Sequence, residues 1–297
     1  MRPDGDCVGA CLSTYRYLKN AMPDTAVTVF LEQPPKTFSF LWGYDQITSE
    51  VDENETFDVF VSLDCGDSER LGDARALFLN SPKKICIDHH LSNTGFADIN
   101  VIRPEASSTC EVLYELFDKR FVDDKVASAI YTGIVHDTGV FQYSCMSQAT
   151  FGIVGELIGY DFDAAKIISE TFYEKTYVQN QILGRALLES LLFMDGRCIA
   201  SCVDKRMMDF YGVTSEDFDG IVNQLLVTKG CEVAIFMYQT ATLEFKVSMR
   251  SKGKVNVSEV AQYFGGGGHA RAAGCTMAGT YRDVLNNLSG HIEKQLL

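Results

Sequence analysis

The chain has 297 residues, and its 40 Asp and Glu against 26 Lys and Arg give a formal net charge of −14. This acidity argues against a protein that coats long nucleic acids by releasing counterions, although bound cations can reverse the field locally for a small phosphorylated substrate. No apolar run approaches the roughly 18 residues that cross a bilayer, and no signal peptide is visible. We therefore expect a cytoplasmic protein without a membrane partner. The length of the chain predicts two domains.

The first half alternates short apolar runs with helical stretches. The predicted strands lie at 26–30, 57–63 and 84–87, and the predicted helices lie near 8–20, 68–79 and 108–119. The last helix opens with the capping residues Ser107, Ser108 and Thr109. This alternation predicts an α/β domain with a doubly wound, mostly parallel sheet, which binds ligands beyond the carboxyl ends of its strands.

The second half has a different pattern. A helix-rich stretch near 147–192 leads to longer strands at 197–203, 232–238 and 243–249, then to a glycine cluster and a final helix near 281–296. We predict a catalytic domain at 1–175, a linker helix at 176–192 and a smaller α/β domain with a mixed sheet at 193–297. The ten cysteines contain no Cys-x-x-Cys pair, so they are predicted to be buried thiols.

Acidic residues follow the predicted strands. Asp64 and Asp88 end two neighbouring strands, Asp137 follows the helical stretch 126–132, and Asp4 and Asp6 precede the first helix. In a doubly wound sheet these carboxylates converge on one edge, together with His89 and His90. Each acid taken alone is also an ordinary helix cap or turn former.

Five carboxylates and two imidazoles in one crevice repel each other unless cations bind there. Oxygen-rich ligands with one or two imidazoles suit Mn²⁺ or Mg²⁺ better than a structural zinc. Two such ions about 3.5–4 Å apart would activate a water and stabilise both oxygens of an in-line phosphoryl displacement. We expect two Mn²⁺ ions per site, with Mg²⁺ as the alternative.

The order and spacing of five motifs resemble the DHH/DHHA1 phosphoesterases, most closely the short bacterial oligoribonuclease/pAp phosphatases (nanoRNases). The motifs are Pro3–Asp6, Leu63–Asp67 with Arg70–Gly72, Ile87–His90, Gly133–Gly139 with Phe141, and, in the second half, Ser248–Ser251 with Gly265–Gly274. The resemblance covers nearly the whole chain.

The resemblance implies a role for each matching residue of the first half. Asp64 would bridge two metal ions, Asp4 would serve the first ion, and the second ion would be held by Asp6, His89 and Asp137. The catalytic residues would be Asp88, which orients its neighbours, and His90, which faces the reacting phosphate.

For the second half, the resemblance implies substrate binding over a catalytic cleft between the domains. The implied residues are Arg250, Ser251, Gly266, Gly267, Gly268, His269 and Arg271. Glycine N–H groups can form an anion-binding nest, and a guanidinium can hold a phosphate bidentately. A flexible loop or tight turn at the glycines and a solvated Arg271 are the alternatives. The turn 104–109 can likewise present N–H groups to phosphate or serve as an ordinary cap.

The chain departs from the family pattern at its first motif. The family histidine three residues before the proline, here Pro3, would fall before Met1, and so would the strand that leads into the motif. We expect a weaker first metal site, an uncovered sheet edge and impaired catalysis relative to a longer form.

The leading function is a metal-dependent phosphoesterase that acts on short oligoribonucleotides, pAp or linear dinucleotides. Its expected partners are short RNA or a small nucleotide and no long duplex, with a homodimer left open. The alternatives are an exopolyphosphatase or other phosphoanhydride hydrolase, a catalytically impaired nucleotide-binding module, and a structural protein with an acidic cleft.

Overall fold

The computed structural model describes residues 3–52, 54–143 and 145–296, and its chain divides into two compact units at Glu174 and Lys175. Both units mix helices and strands, so the predicted α/β class is confirmed. Among the described helices, none is both long and apolar enough to span a membrane.

The first unit contains six α-helices and five strands among its described residues. The helices are α1 (Gly5–Ala21), α2 (Arg75–Asn80), α3 (Thr109–Leu116), α4 (Asp124–Asp137), α5 (Gln148–Leu157) and α6 (Ala164–Ile168). The strands are β1 (Val29–Phe30), β2 (Ile47–Thr48), β3 (Val59–Leu63), β4 (Lys83–Asp88) and β5 (Ile99–Ile102). Three predicted strands are present, although β1 is only two residues long.

All strand pairs of the first unit are parallel. One sheet has the order β3-β4-β5, with Ser62 opposite Cys86, and a separate pair joins β1 to β2. Helices cover both faces of the larger sheet, since Phe60 packs on Phe78 of α2 while Leu63 packs against the core of α3 and α4. The carboxyl ends of β3 and β4 therefore open at one edge between helices.

The outer edge of β3 pairs with no strand among the residues that the structure describes. A cavity of about 750 Å³ lies along this edge. Its walls include α1, the segment 25–32 that contains β1, and residues 70–74 of a 3₁₀ helix. Asp4, Asp64 and His90 also line it, so the uncovered edge borders the acidic residues.

The second unit is built on one six-stranded sheet with the order β10-β11-β9-β8-β7-β6, in which only β7 and β8 are parallel. The strands are β6 (Leu191–Phe193), β7 (Cys198–Val203), β8 (Val233–Ala241), β9 (Glu244–Ser251), β10 (Gly267–His269) and β11 (Ala272–Ala278). The helices are α7 (Tyr177–Leu188), α8 (Lys205–Tyr211), α9 (Ile221–Leu226), α10 (Val257–Tyr263) and α11 (Tyr281–Leu296). The mixed sheet expected here is present.

Successive side chains of β8 point to opposite faces of the sheet, and both faces are covered by helices. Ile235 and Met237 belong to the core formed with α10 and α11, whereas Ala234 and Phe236 belong to the core formed with α7 and α9. A strand that is buried on both faces reads as a continuous apolar run, as the segment from Val233 to Met237 does.

Candidate metal centre

Asp6 lies in the first turn of α1, where its side chain is buried with a relative exposure of 1%. Its carboxylate accepts hydrogen bonds from the backbone N–H groups of Thr109 (2.7 Å) and Cys110 (3.0 Å) at the start of α3. An anion is stabilised at this helix end by the unpaired amides and the helix dipole. The N–H groups that could have met a phosphate are thus used to hold an acidic side chain.

Gly133 makes room for this carboxylate. A Cβ atom at residue 133, on α4, would lie 2.7 Å from Asp6 Oδ1 and 2.3 Å from Cys110 Sγ. The glycine therefore allows α1, α3 and α4 to meet around Asp6.

Asp64 follows β3 directly and adopts a left-handed backbone conformation with φ 54°. Its N–H continues the ladder to the carbonyl of Ile87 (3.1 Å), and its Oδ1 accepts a hydrogen bond from Thr109 Oγ1 (3.0 Å). A non-glycine residue at positive φ carries strain that the surrounding contacts must offset, and such residues concentrate at functional sites.

His89 is oriented by a backbone carbonyl. Its Nδ1–H donates to Ala106 O (3.3 Å), which leaves Nε2 3.0 Å from Asp137 Oδ2 and 3.8 Å from Asp64 Oδ1. This is the arrangement of a metal-ligating histidine, whose second nitrogen is fixed by a carbonyl or carboxylate.

Asp137 is the last residue of α4, so the predicted helix at 126–132 ended too early. The chain then turns sharply, because Gly139, Val140 and Phe141 all have φ between 55° and 60°. Thr138 Oγ1 supports the turn by accepting from the N–H of Phe141 (3.1 Å). A β-branched valine at positive φ is a marked outlier, and it stands beside a candidate ligand.

Asp88 and His90 form a hydrogen-bonded pair next to these residues. The Asp88 side chain is fully buried, and its Oδ1 accepts from His90 Nδ1–H at 2.7 Å. An ionised carboxylate only accepts, so the proton of this bond is on Nδ1. The His90 Nδ1 atom also lies 3.7 Å from Asp64 Oδ1.

Two groups of three side chains have ligand atoms close enough to hold a cation: Asp6 with His89 and Asp137, and Asp64 with His89 and His90. They share His89, and we call these five residues the acidic cluster. Asp4 belongs to neither group; one of its oxygens caps α1 by accepting from Cys7 N (3.0 Å). The residues of the predicted second site thus lie together, whereas Asp4 has the ordinary capping contact.

The carboxylates of the acidic cluster repel one another and favour the charged form of His89. Burial, and then Asp64 and Asp137, raise the pKa of Asp6 well above its usual range. Burial, Asp4 and Asp137 raise the pKa of Asp64 to about 6. Burial works against a charged His89, but its hydrogen bond to Asp137 and the other carboxylates raise the pKa of His89 to about 10.

These residues fit a divalent cation in chemistry and in position. The donors are carboxylate oxygens and imidazole nitrogens, which suit Mn²⁺ and similar ions, and their mutual repulsion is what a bound cation relieves. His136, by contrast, bonds through Nε2 to Thr171 Oγ1 (2.8 Å) and packs on Phe38, so its role is structural.

The substrate-binding residues predicted in the second unit have mixed surroundings. His269, Ala272 and Arg250 occupy one register row across β10, β11 and β9, and the small Ala272 stands between the two polar side chains. Arg250 Nε donates to Asn223 Oδ1 (3.1 Å), and Arg271 is exposed. Ser251 is 4% exposed and its hydroxyl donates to Glu232 (3.3 Å), so that hydroxyl has a structural partner.

The glycines at 265–268 have more regular backbone contacts than an anion-binding nest would have. The N–H groups of Gly265 and Gly266 donate to carbonyls of α10, and Gly267 and Gly268 belong to β10. Gly268 has φ 143°, and a Cβ there would lie 2.4 Å from Ala272 O. The close packing of β10 on β11 therefore requires a glycine at Gly268, whether or not the segment binds an anion.

Sequence reasoning missed two residues of the centre. The sequence predicts Thr109 to be only a helix cap, whereas its N–H and hydroxyl contact Asp6 and Asp64. Asn93 was not singled out, although its amide donates to Asp88 Oδ2 (2.7 Å). An asparagine soon after a strand resembles a turn former, so its local sequence gave no signal.

Both halves of the chain match known protein families. Residues 1–134 match the DHH family, N-terminal domain, and residues 195–296 match the DHHA1 domain. The bifunctional oligoribonuclease and PAP phosphatase NrnA of Bacillus subtilis is 26% identical over 284 residues, which are 93% of this chain and 87% of the relative. The NrnA of Thermus thermophilus is 28% identical over 283 residues, 93% of this chain and 82% of the relative.

A solved structure shares the fold. The crystal structure of an exopolyphosphatase-related protein from Bacteroides fragilis has a TM-score of 0.88 and 26% sequence identity, and the match covers 98% of this chain and 89% of that one. Together with the two domain matches, these similarities show that the chain belongs to the DHH/DHHA1 phosphoesterases and is a hydrolase of phosphoester bonds.

Proposed function

We propose that this protein hydrolyses the phosphoester bonds of short oligoribonucleotides and of 3′-phosphoadenosine 5′-phosphate (pAp), with two Mn²⁺ ions per site. The observation that carries the proposal is the clustering of the carboxylates of Asp6, Asp64 and Asp137 around His89. The names of the Bacillus and Thermus relatives support the choice of substrates. Linear dinucleotides have the same chemistry and are further candidates.

The acidic cluster and the residues around it have separate proposed roles, which are metal binding and the support of the ligands. Divalent cations held by Asp6, Asp64, His89 and Asp137, with Asp4 completing the first site, would activate a water and neutralise charge on the phosphate. Thr109 keeps the Asp64 carboxylate in place, and the α3 amides keep that of Asp6. Because these contacts are built before substrate binds, little reorganisation accompanies the reaction.

His90 is proposed to act on the phosphate through Nε2. Its Nδ1–H is bonded to Asp88, and this hydrogen bond raises the pKa of His90. The raised pKa favours the imidazolium form, whose Nε2–H can donate to a phosphate oxygen or to the leaving oxygen.

Residues of the second unit are proposed to recognise the substrate. Arg250 and His269 lie in one row of the sheet, where a guanidinium and an imidazole can bind a phosphate and stack on a base. Arg271 and Gly267 complete the proposed set. Arg250→Ala is expected to raise KM with little change in kcat, because it removes binding that does not change during the reaction.

A hydrolysis panel tests the proposal. With Mn²⁺ present, pAp and a five-residue RNA are expected to release nucleoside monophosphates faster than pyrophosphate or polyphosphate reacts, and Asp64→Asn serves as the blank. Turnover that survives Asp64→Asn contradicts the proposed site. Tight nucleotide binding without turnover would instead identify a nucleotide-binding module.

An exopolyphosphatase is the second candidate, because the solved neighbour from Bacteroides fragilis is described as exopolyphosphatase-related. A polyphosphate offers phosphates but no base, so its hydrolysis would not depend on base stacking. A kcat/KM that is higher for polyphosphate than for pAp would favour this candidate.

A further inference from the structure

Asn93 lies in the loop after β4 and is 7% exposed. Its amide nitrogen donates to Asp88 Oδ2 (2.7 Å) and to the carbonyl of Cys65 (3.1 Å). Its amide oxygen accepts from Gly95 N (2.8 Å), and its own N–H donates to His90 O (3.0 Å). The side chain therefore joins two loops, the one that carries Asp64 and Cys65 and the one that carries the histidines.

The contact with Asp88 determines how that carboxylate faces its neighbours. Asp88 Oδ1 accepts from His90 Nδ1–H (2.7 Å) and from His89 N (2.9 Å), while Oδ2 faces Asn93. The last torsion of an aspartate is broad and roughly two-fold, so the carboxylate needs a partner on each oxygen to be held in one orientation. Asn93 is that partner for Oδ2.

We propose that Asn93 is a positioning residue for catalysis, which acts on His90 through Asp88. By holding Oδ2, it directs Oδ1 to His90 Nδ1 and so keeps His90 Nε2 toward the reacting phosphate. By bonding Cys65 O, it also fixes the distance between this pair and the loop of Asp64. The proposal rests on the proposed function for its kinetic effects, but the orientation of His90 is measurable without turnover.

A purely structural role for Asn93 makes different predictions. A residue that only folds the loop would lower stability when removed, and its effect would be the same whether or not Asp88 can orient His90. A positioning residue lowers kcat with little effect on KM, and its effect disappears once Asp88 has been changed.

Kinetics of Asn93→Ala, alone and combined with Asp88→Asn, separate the two roles. Asn93→Ala is expected to lower kcat by about 10–100-fold, the range for residues that orient an active-site group, with KM changed by less than about twofold. In the Asp88→Asn background, the same substitution should lower kcat by less than about twofold. Asn93→Ser, which keeps a donor, should retain part of the activity.

Asn100→Ala is the matched control. Asn100 folds the same β4–β5 connection, but both ends of its amide bond the backbone of Ala97 rather than Asp88 or Cys65. It is expected to leave kcat unchanged. Equal losses in Asn93→Ala and Asn100→Ala, or fully additive losses with Asp88→Asn, would overturn the proposal.

NMR of ¹⁵N-histidine-labelled protein tests the orientation directly. The short His90–Asp88 hydrogen bond should give a downfield Nδ1 proton that is absent in Asp88→Asn, lost or shifted in Asn93→Ala and unchanged in Asn100→Ala. An unchanged proton in a folded Asn93→Ala contradicts the proposal. If the wild type hydrolyses no substrate of the panel, the proposed function fails while this resonance still decides the role of Asn93.

Discussion

The acidic cluster of the first unit and the glycine-rich segment 265–268 of the second differ in what their residues do for the fold. The glycines have packing roles, because two of them donate to α10 and Gly268 permits close approach to Ala272. Burial and neighbouring carboxylates raise the pKa of both Asp6 and Asp64, which means that their charged forms work against stability. A costly arrangement held in place by several donors indicates function more strongly than a glycine that the packing itself requires.

The largest expected effect is that of Asp64→Asn. Loss of a carboxylate shared by the site should lower kcat/KM by at least about 10²–10³-fold, the range for removing one electrostatic group at a reacting centre. The melting temperature of the metal-free protein should stay the same or rise, since one of several repelling charges is removed. Steady-state kinetics and thermal melting measure the two effects.

Asp58→Asn is the control for that substitution, because Asp58 is an exposed residue at the opposite end of the same strand region. It should leave both quantities unchanged. If Asp64→Asn lost activity only because its melting temperature fell, Asp64 would have a structural role. The contrast between the acidic cluster and the glycine-rich segment would then be wrong.

The glycines give the next largest effect, and it should appear in stability. Gly268→Ala places a methyl group 2.4 Å from Ala272 O at a φ of 143°, so it should destabilise the second unit by about 1–3 kcal/mol. Gly267→Ala meets no atom within 4 Å and should be nearly neutral for folding. Urea unfolding compares the two variants.

Kinetics of the same two variants test whether the glycine-rich segment also binds substrate. If Gly267→Ala leaves stability intact but raises KM for pAp several-fold, the segment binds substrate as well as packing β10 on β11. An unchanged KM would remove Gly267 from the proposed substrate site.

The smallest effect concerns pH and metal binding. The pKa of Asp64 is raised to about 6, so the metal-free protein carries a proton there at lower pH, and a cation must displace it. Between about pH 7 and pH 5 this group alone should weaken Mn²⁺ affinity by about tenfold. Calorimetric titration measures the change, and Asp64→Asn should lose this part of the pH dependence. An affinity that strengthens as pH falls would contradict the assignment.

The acidic residues could be predicted from the sequence because they follow apolar runs, and parallel strands bring their carboxyl ends to one edge. That argument placed Asp64 and Asp88 correctly beside His89 and His90. It could not place Asp4 and Asp6 relative to each other, since both precede the predicted first helix and only the position of α3 makes Asp6 the buried one.

Other features depend on contacts between distant segments. The α3 amides reach Asp6 across 103 residues, and Asn93 reaches the carbonyl of Cys65 across 28. The left-handed turn at Gly139–Phe141 includes a valine, a residue that local preference would not place there. Such positions follow from the tertiary structure, so no local pattern in the chain predicts them.

Anomalous diffraction at the manganese edge, on crystals soaked in Mn²⁺, is the most direct test of the acidic cluster as a metal centre. We predict a peak within bonding distance of Asp6, His89 and Asp137 in the wild type, and no such peak in Asp137→Asn. A wild-type crystal that binds Mn²⁺ elsewhere, or not at all, would contradict the account.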